Sequence, residues 1–253
     1  MKKLLPHLVI VLFLFFTTSS SSLAQDIKDG DIGEGYSTPT FRELYTTIAM
    51  FGGVDVSNDE VINEYARMIY CDDYTKYFKN DYEWNIRKQV IAKRLKDKEE
   101  PYRVLYEIVD TVTLGRYDFN EEFFPVEGAG AIANIGNVQL FDSRMFQEYC
   151  SIKEKSDVFP PKINMLLAMP LSITKIKIKK EHMKEISDLM AKYNLTDNRK
   201  VYQRVRLRLT DAIGYRYANG TIVSSELEGK VTGVDFFYDK EMTKKIPFIE
   251  GYN

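Results

Sequence analysis

The chain has 253 residues, 44% of them hydrophobic and 28% charged, with a formal net charge of −2. That length supports one large domain or two small ones with a proper core. Mild acidity with well-mixed charges gives no electrostatic reason to seek nucleic acid or anionic lipid, so both are set aside as partners.

The first 24 residues read as a secretory signal peptide. Lys2 and Lys3 form a positive start, residues 8–16 are uninterruptedly apolar, and Ser22, Leu23 and Ala24 form a small-x-small cleavage site before Gln25. The apolar core is shorter than the roughly 20 residues a membrane-spanning helix needs. No cysteine stands near the cleavage site, which argues against lipid anchoring. The expected destination is the periplasm or the exterior, with no stable membrane span after cleavage. Cys71 and Cys150 are the only cysteines. An even count in an oxidising compartment predicts that they pair. Such a crosslink would stabilise by about 4–5 kcal/mol in the chain-entropy model.

In chain order, residues 25–37 are polar and acidic, with Asp26, Asp29, Asp31 and Glu34. Their spacing does not match a calcium-binding loop, so a disordered leader is expected. Residues 38–100 read as a helical section. Thr38 is placed to cap a first helix with Pro39 at its first position, and Gly52 with Gly53 stops it. Ser57 and Glu60 have the spacing of a capping box for a second helix through Val61, Ile62, Tyr65 and Ile69. A third starts near Asn80 and runs toward Glu99, with Trp84, Ile91 and Leu95 along one side and Lys and Arg on the other.

Residues 101–253 read as a sheet section, continuous with the helical one in a single domain. Tyr102, Val104, Tyr106, Ile108, Val112 and Leu114 share one parity, which predicts a strand. Residues 119–126 are expected to be extended and residues 128–137 to form a loop, followed by short strands at 138–141 and 163–168. Leu171 and Ile173 alternate, and Ile176 and Ile178 alternate on the opposite parity, which predicts a bulge or register break. Met183, Ile186, Met190 and Tyr193 define one face of an amphipathic helix. Val201, Val205, Leu207 and Leu209 share a strand face, and Asn219 with Gly220 signals a hairpin. The fold class is α+β: a helical N-terminal section, then a mostly antiparallel sheet carrying one amphipathic helix.

Chemical motifs are scarce. His182 is the only histidine after cleavage, beside Glu181 at a helix start, where an exposed and non-catalytic role is expected. One histidine and two paired cysteines cannot make a standard zinc site, so no metal is predicted. There is no Gly-x-Ser-x-Gly elbow and no phosphate-binding loop, and the spacing of Gly128, Gly130 and Gly136 is wrong for a dinucleotide. No cofactor and no catalytic residue is assigned. Asp110 lies on the apolar parity of its strand and is expected to sit in solvent where that strand bends. Asn194 and Asn219 begin glycosylation sequons, relevant only in a eukaryotic source.

Two groups are candidate binding surfaces. Arg204, Arg206 and Arg208 line one strand face, where they could grip a carboxylate or phosphate, or simply meet acids such as Glu226 and Glu228 across the sheet. Among the 17 tyrosines, Tyr70, Tyr74 and Tyr77 recur at helical spacing beside Cys71, joined by Phe78 and Tyr82. Tyrosine-rich surfaces suit peptide or sugar contacts, although such a stripe also suits a core.

Tyr65 and Ala66, Cys71, Tyr74, Asn80 and Asp81 with Glu83 and Trp84, and Tyr117, Asp118 and Phe119 resemble an uncharacterised exported bacterial family, a domain of unknown function. The resemblance covers most of the chain after the signal and implies a bacterial, exported context without a mechanism. The expected function is an exported binding or interaction module for a protein, peptide or glycan. Its alternatives are a carboxylate-using extracytoplasmic hydrolase and an envelope-assembly subunit that adds an edge strand.

Overall fold

The computed structural model describes residues 35–128, 132–142, 158–160 and 162–247. The expected signal peptide, residues 25–34 of the leader, and Cys150 lie outside them. At the leader's end, Ser37 bridges Tyr106 and accepts a hydrogen bond from the Glu107 N–H at 2.9 Å, so this stretch is tied to the sheet, contrary to the disorder expected for it.

Four helices precede most of the sheet: α1 Phe41–Met50, α2 Asp59–Ile69, α3 Cys71–Tyr77 and α4 Asp81–Lys96. The first cap is Thr40, not Thr38. Thr40 accepts from the Glu43 N–H at 3.3 Å while its hydroxyl donates to the Glu43 carboxylate at 2.8 Å. Thr38 has Phe41 at the equivalent position and no such partner. The second cap is also late, here by one residue: Asn58 accepts from the Glu60 N–H at 2.8 Å. Ser57 is engaged instead by Asp55, to which its hydroxyl donates at 2.6 Å. Asn80 caps α4 through the Glu83 N–H as the sequence predicts.

The sheet has seven strands: β1 Leu105–Leu114, β2 Phe123–Glu127, β3 Ile132–Phe141, β4 Ile163–Ile173, β5 Lys175–Lys177, β6 Lys200–Ala218 and β7 Thr221–Phe237. Their order is β3-β4-β7-β6-β1-β2-β5. Among the described strands, only β4 and β7 pair in parallel. The expected loop at 128–137 is largely strand: residues 132–137 begin β3 and pair with β4, with register shifts along the ladder. Its small and polar side chains suit an edge strand with most of its residues in solvent. The parity change after Ile173 is a strand end, because β5 leaves β4 and pairs with β2 at the far edge. Asn219 and Gly220 both have positive φ, 51° and 77°, the turn geometry that joins β6 and β7 into a twisted hairpin.

The core lies between the helices and one face of this sheet. On β6, Val201, Gln203, Val205, Leu207 and Leu209 are buried, and the intervening Tyr202, Arg204, Arg206 and Arg208 are half-buried on the other face. Tyr45 of α1 is fully buried between Phe41 and Phe159, at ring distances of 4.5 and 4.7 Å. Its hydroxyl donates to the Pro160 carbonyl and lies 3.3 Å from Ser225 Oγ on β7, so one side chain ties α1 to the sheet. After a 3-10 turn, Lys180–His182, helix α5 Met183–Lys192 buries Ile186 and Met190. Tyr193 stacks on Tyr238 at 6.2 Å, and Asn194, with φ of 54°, ends the helix.

Candidate functional site

The predicted tyrosine stripe falls where α2, α3 and α4 meet. Tyr74 stacks on Phe78 at 4.3 Å and meets Trp84 edge-on at 5.3 Å. The Trp84 indole N–H donates to Asn63 of α2 at 3.0 Å. Tyr70 lies 6.2 Å from Tyr65, and burial, then its hydrogen bond to Glu100, pushes its phenol up to about 12. Tyr77 is flanked by Lys76 and by Arg87, whose Cζ is 4.7 Å from the ring centre. The hydrogen bond from Lys76 holds that phenol below its usual value. All three tyrosines are therefore half-buried and committed to packing or to neighbouring charges.

The exposed surface lies one step outward. Phe78, Tyr82, Ile86 and Val90 recur every four residues and are 42%, 74%, 42% and 46% exposed. On α4 this run lies opposite the buried side of Trp84, Ile91 and Leu95. The sequence predicts Lys and Arg on that side; Lys93 and Lys96 do follow, but the middle of that side is apolar. The four-residue recurrence was visible. It was missed because α4 carries two apolar stripes, so no single face dominates its pattern.

The arginines do form an outer sheet face, but with other partners than expected. Register puts Arg204 opposite Asp235 and Val109, Arg206 opposite Gly233 and Glu107, and Arg208 opposite Lys230 and Leu105. Asp235, whose side chain is only 4% exposed, gathers three cations: Arg204 at 3.0 Å, Lys245 at 2.5 Å and Arg206. Burial would raise its pKa, but hydrogen bonds from Lys245 and Arg204 and the charge of Arg206 outweigh that and hold the carboxyl below its usual value. The Arg204 guanidinium lies 4.8 Å from the Phe237 ring centre and that of Arg206 lies 5.7 Å from Tyr36.

Glu226 and Glu228 stand further along β7, opposite Gly214 and Asp211, so they do not neutralise the arginines. Glu226 is buried and accepts from the Asn164 amide at 3.0 Å and the Ser224 hydroxyl at 2.5 Å. Asp110 is exposed, as expected, and accepts from the Thr111 N–H at 2.7 Å. His182 sits in the 3-10 turn with Nε2 3.7 Å from Glu181. An open cleft of about 760 Å³ at the end of β1 mixes Arg116 and Arg199 with Glu127 and Asp197. The Arg199 guanidinium donates to the Gly115 carbonyl at 2.9 Å, and a side chain at Gly115 would collide with Pro125 and Glu127.

A family model described as a domain of unknown function (DUF4852) matches residues 57–189. The match takes in α2, α3 and α4, and thus the whole apolar run, and stops before β6 and the arginines. No curated protein and no solved structure matches the chain.

Proposed function

This chain belongs to the domain-of-unknown-function family DUF4852, and we propose that it is an exported binding module that engages a protein partner through the outer face of α4. The observation that carries this reading is the run of Tyr82, Ile86 and Val90 along α4, preceded by Phe78 at the C-terminal end of α3, all of them large, apolar and well exposed. Single exposed apolar residues are ordinary, but an aligned run on one helix is the form in which helix-groove partners are recognised. Beneath it, Trp84, Ile91 and Leu95 anchor α4 in the core, so the face is presented rigidly and loses little freedom on binding. The sheet edges favour this reading over strand addition: β3 has register shifts and a positive φ at Asn134, and β5 is three residues long with a lysine at each end. Irregular and lysine-bearing edges resist pairing with another chain.

Export through the N-terminal signal belongs to the same proposal, as does a bond between Cys71 and Cys150. Cys71 opens α3, and no free thiol occurs among the described residues. The bond would tether α3 to the segment between β3 and β4.

The test is a photo-crosslinking residue placed at Ile86 in the exported protein within its native envelope preparation, with a second placed at Lys240 as a distant control. The expected result is a defined adduct from position 86, absent from position 240 and lost when Val90 is also changed to Asp. Equal crosslinking from both positions would defeat the proposal.

A further inference from the structure

We propose that the partner of the α4 face is a second copy of this chain, with the two α4 helices packed antiparallel about a two-fold axis; this rests on that face being a protein-binding surface. The pairing pattern is carried by α4 itself. Lys79, just before the Asn80 cap, then Glu83, Ile86, Val90, Lys93 and finally Asp97 at the C-cap follow one another at alternating steps of four and three residues. That alternation keeps side chains along one seam between packed helices. The seam is apolar at its centre, with a cation then an anion before it and a cation then an anion after it. Reversed against itself, this order is complementary. About Lys88 as midpoint, Ile86 meets Val90, Glu83 meets Lys93 and Lys79 meets Asp97, each contact made twice by symmetry. A parallel pair would instead set Glu83 on Glu83 and Lys93 on Lys93, and an antiparallel pair centred on Ile86 would set Lys79 on Lys93. Antiparallel packing also opposes the two helix dipoles.

The seam's side chains are available for these contacts. Lys79 and Glu83 form no ion pair among the described residues. Lys93 and Asp97 pair only with each other, at 3.7 Å and with side chains 74% and 42% exposed, a contact that contributes little and exchanges readily for one across the dimer. Two cations lie close to the axis, and both are drawn away from it. Lys88 bridges Asp59 of α2 at 2.5 Å with its side chain only 16% exposed. Arg87 lies against the Tyr77 ring of α3, with Asp73 at 3.9 Å. Tyr82 and Lys96 flank the seam on one side, so in the dimer each ring faces a lysine of the other copy, as a cation–π contact requires.

The test is sedimentation equilibrium of the purified, exported protein across a concentration series, with melting of each variant to confirm its fold. A reversible dimer is expected. Ile86→Asp should weaken it by about a hundredfold or more, because each copy would bury the new carboxylate. Glu83→Lys and Lys93→Glu should each weaken self-association by about tenfold, since both set like charges across the seam. Mixed together, those two variants should recover the dimer as a heterodimer with opposite charges in both pairs, which no loss of fold within one chain can produce. Ile86→Asp alone decides the matter should a charge variant unfold. A protein that stays monomeric up to about 1 mM, a dimer indifferent to Ile86→Asp, or a mixture no tighter than either charge variant alone would overturn the proposal. Photo-crosslinking from position 86 separates this outcome from failure of the α4 reading. A monomer whose adduct holds a foreign chain overturns the second copy alone, whereas a monomer with no position-specific adduct overturns both.

Discussion

The outer face of α4 and the outer face of β6 with β7 both present large side chains to solvent, but they differ in how those side chains are held. Ile86 and Val90 stand in water on a helix anchored from its opposite side, so the face contributes little to the fold. Arg204 and Arg206 are locked by Asp235, so part of their charge is already spent inside the protein. The comparison teaches that exposure alone does not separate a binding surface from a structural one. What separates them is whether removing the side chain leaves a buried group without its partner.

The largest expected effect tests the ground on which the α4 face stands. Reducing the proposed bond between Cys71 and Cys150 should destabilise the protein by about 4–5 kcal/mol, less any strain relieved. Denaturant unfolding with and without reductant measures this, and two thiols alkylatable in the oxidised, unfolded protein would remove its basis. Next comes the buried side of α4. Ile91→Ala should cost about 2–4 kcal/mol through lost burial and a residual cavity, read as a shift in urea midpoint.

Asp235→Asn should cost about 2–3 kcal/mol, less than a fully buried pair, because the arginines are partly exposed. The sign with pH follows from its depressed pKa. The carboxylate's stabilisation is present above the unfolded value of about 3.9 and is lost as pH falls through the folded one. Below about pH 4 the wild type should therefore approach the variant in stability, and a gap that stays constant to pH 2 would show that charge is not the cause. The smallest effect belongs to Ile86→Asp, expected to change stability by no more than about 0.5 kcal/mol while abolishing the crosslinked adduct. A loss of several kcal/mol would show that the face is packed against the chain itself.

Local signals in the sequence carried much of the fold. The Asn80 cap, the Asn194 stop, the hairpin at Asn219 and Gly220, and the alternation along β1 and β6 each depend on residues within a few positions of one another. They appear in the structure as read. Thr38 and Ser57 were misplaced as caps by one or two residues because neighbouring side chains competed for the same backbone groups. Thr40 had Glu43 as a reciprocal partner, and Asp55 captured Ser57.

By itself, the sequence determined the class of the molecule: helices first, then an antiparallel sheet with one amphipathic helix, and no local motif for a metal or cofactor. Periodicity, capping and turn chemistry act over a few residues, so one chain is enough to read them. Tertiary structure decided the rest. Residues 132–137 are strand only because β4 supplies their hydrogen bonds, since Ala133, Asn134, Gly136 and Asn137 carry little strand character of their own. The arginines meet Asp235 and not Glu226 because the register of β6 on β7 sets who stands opposite whom. Of the two apolar stripes on α4, packing against α2 and α3 buried Trp84 and left Ile86 and Val90 in water. Burial is a competition among surfaces distant in sequence, and only the folded chain holds the result.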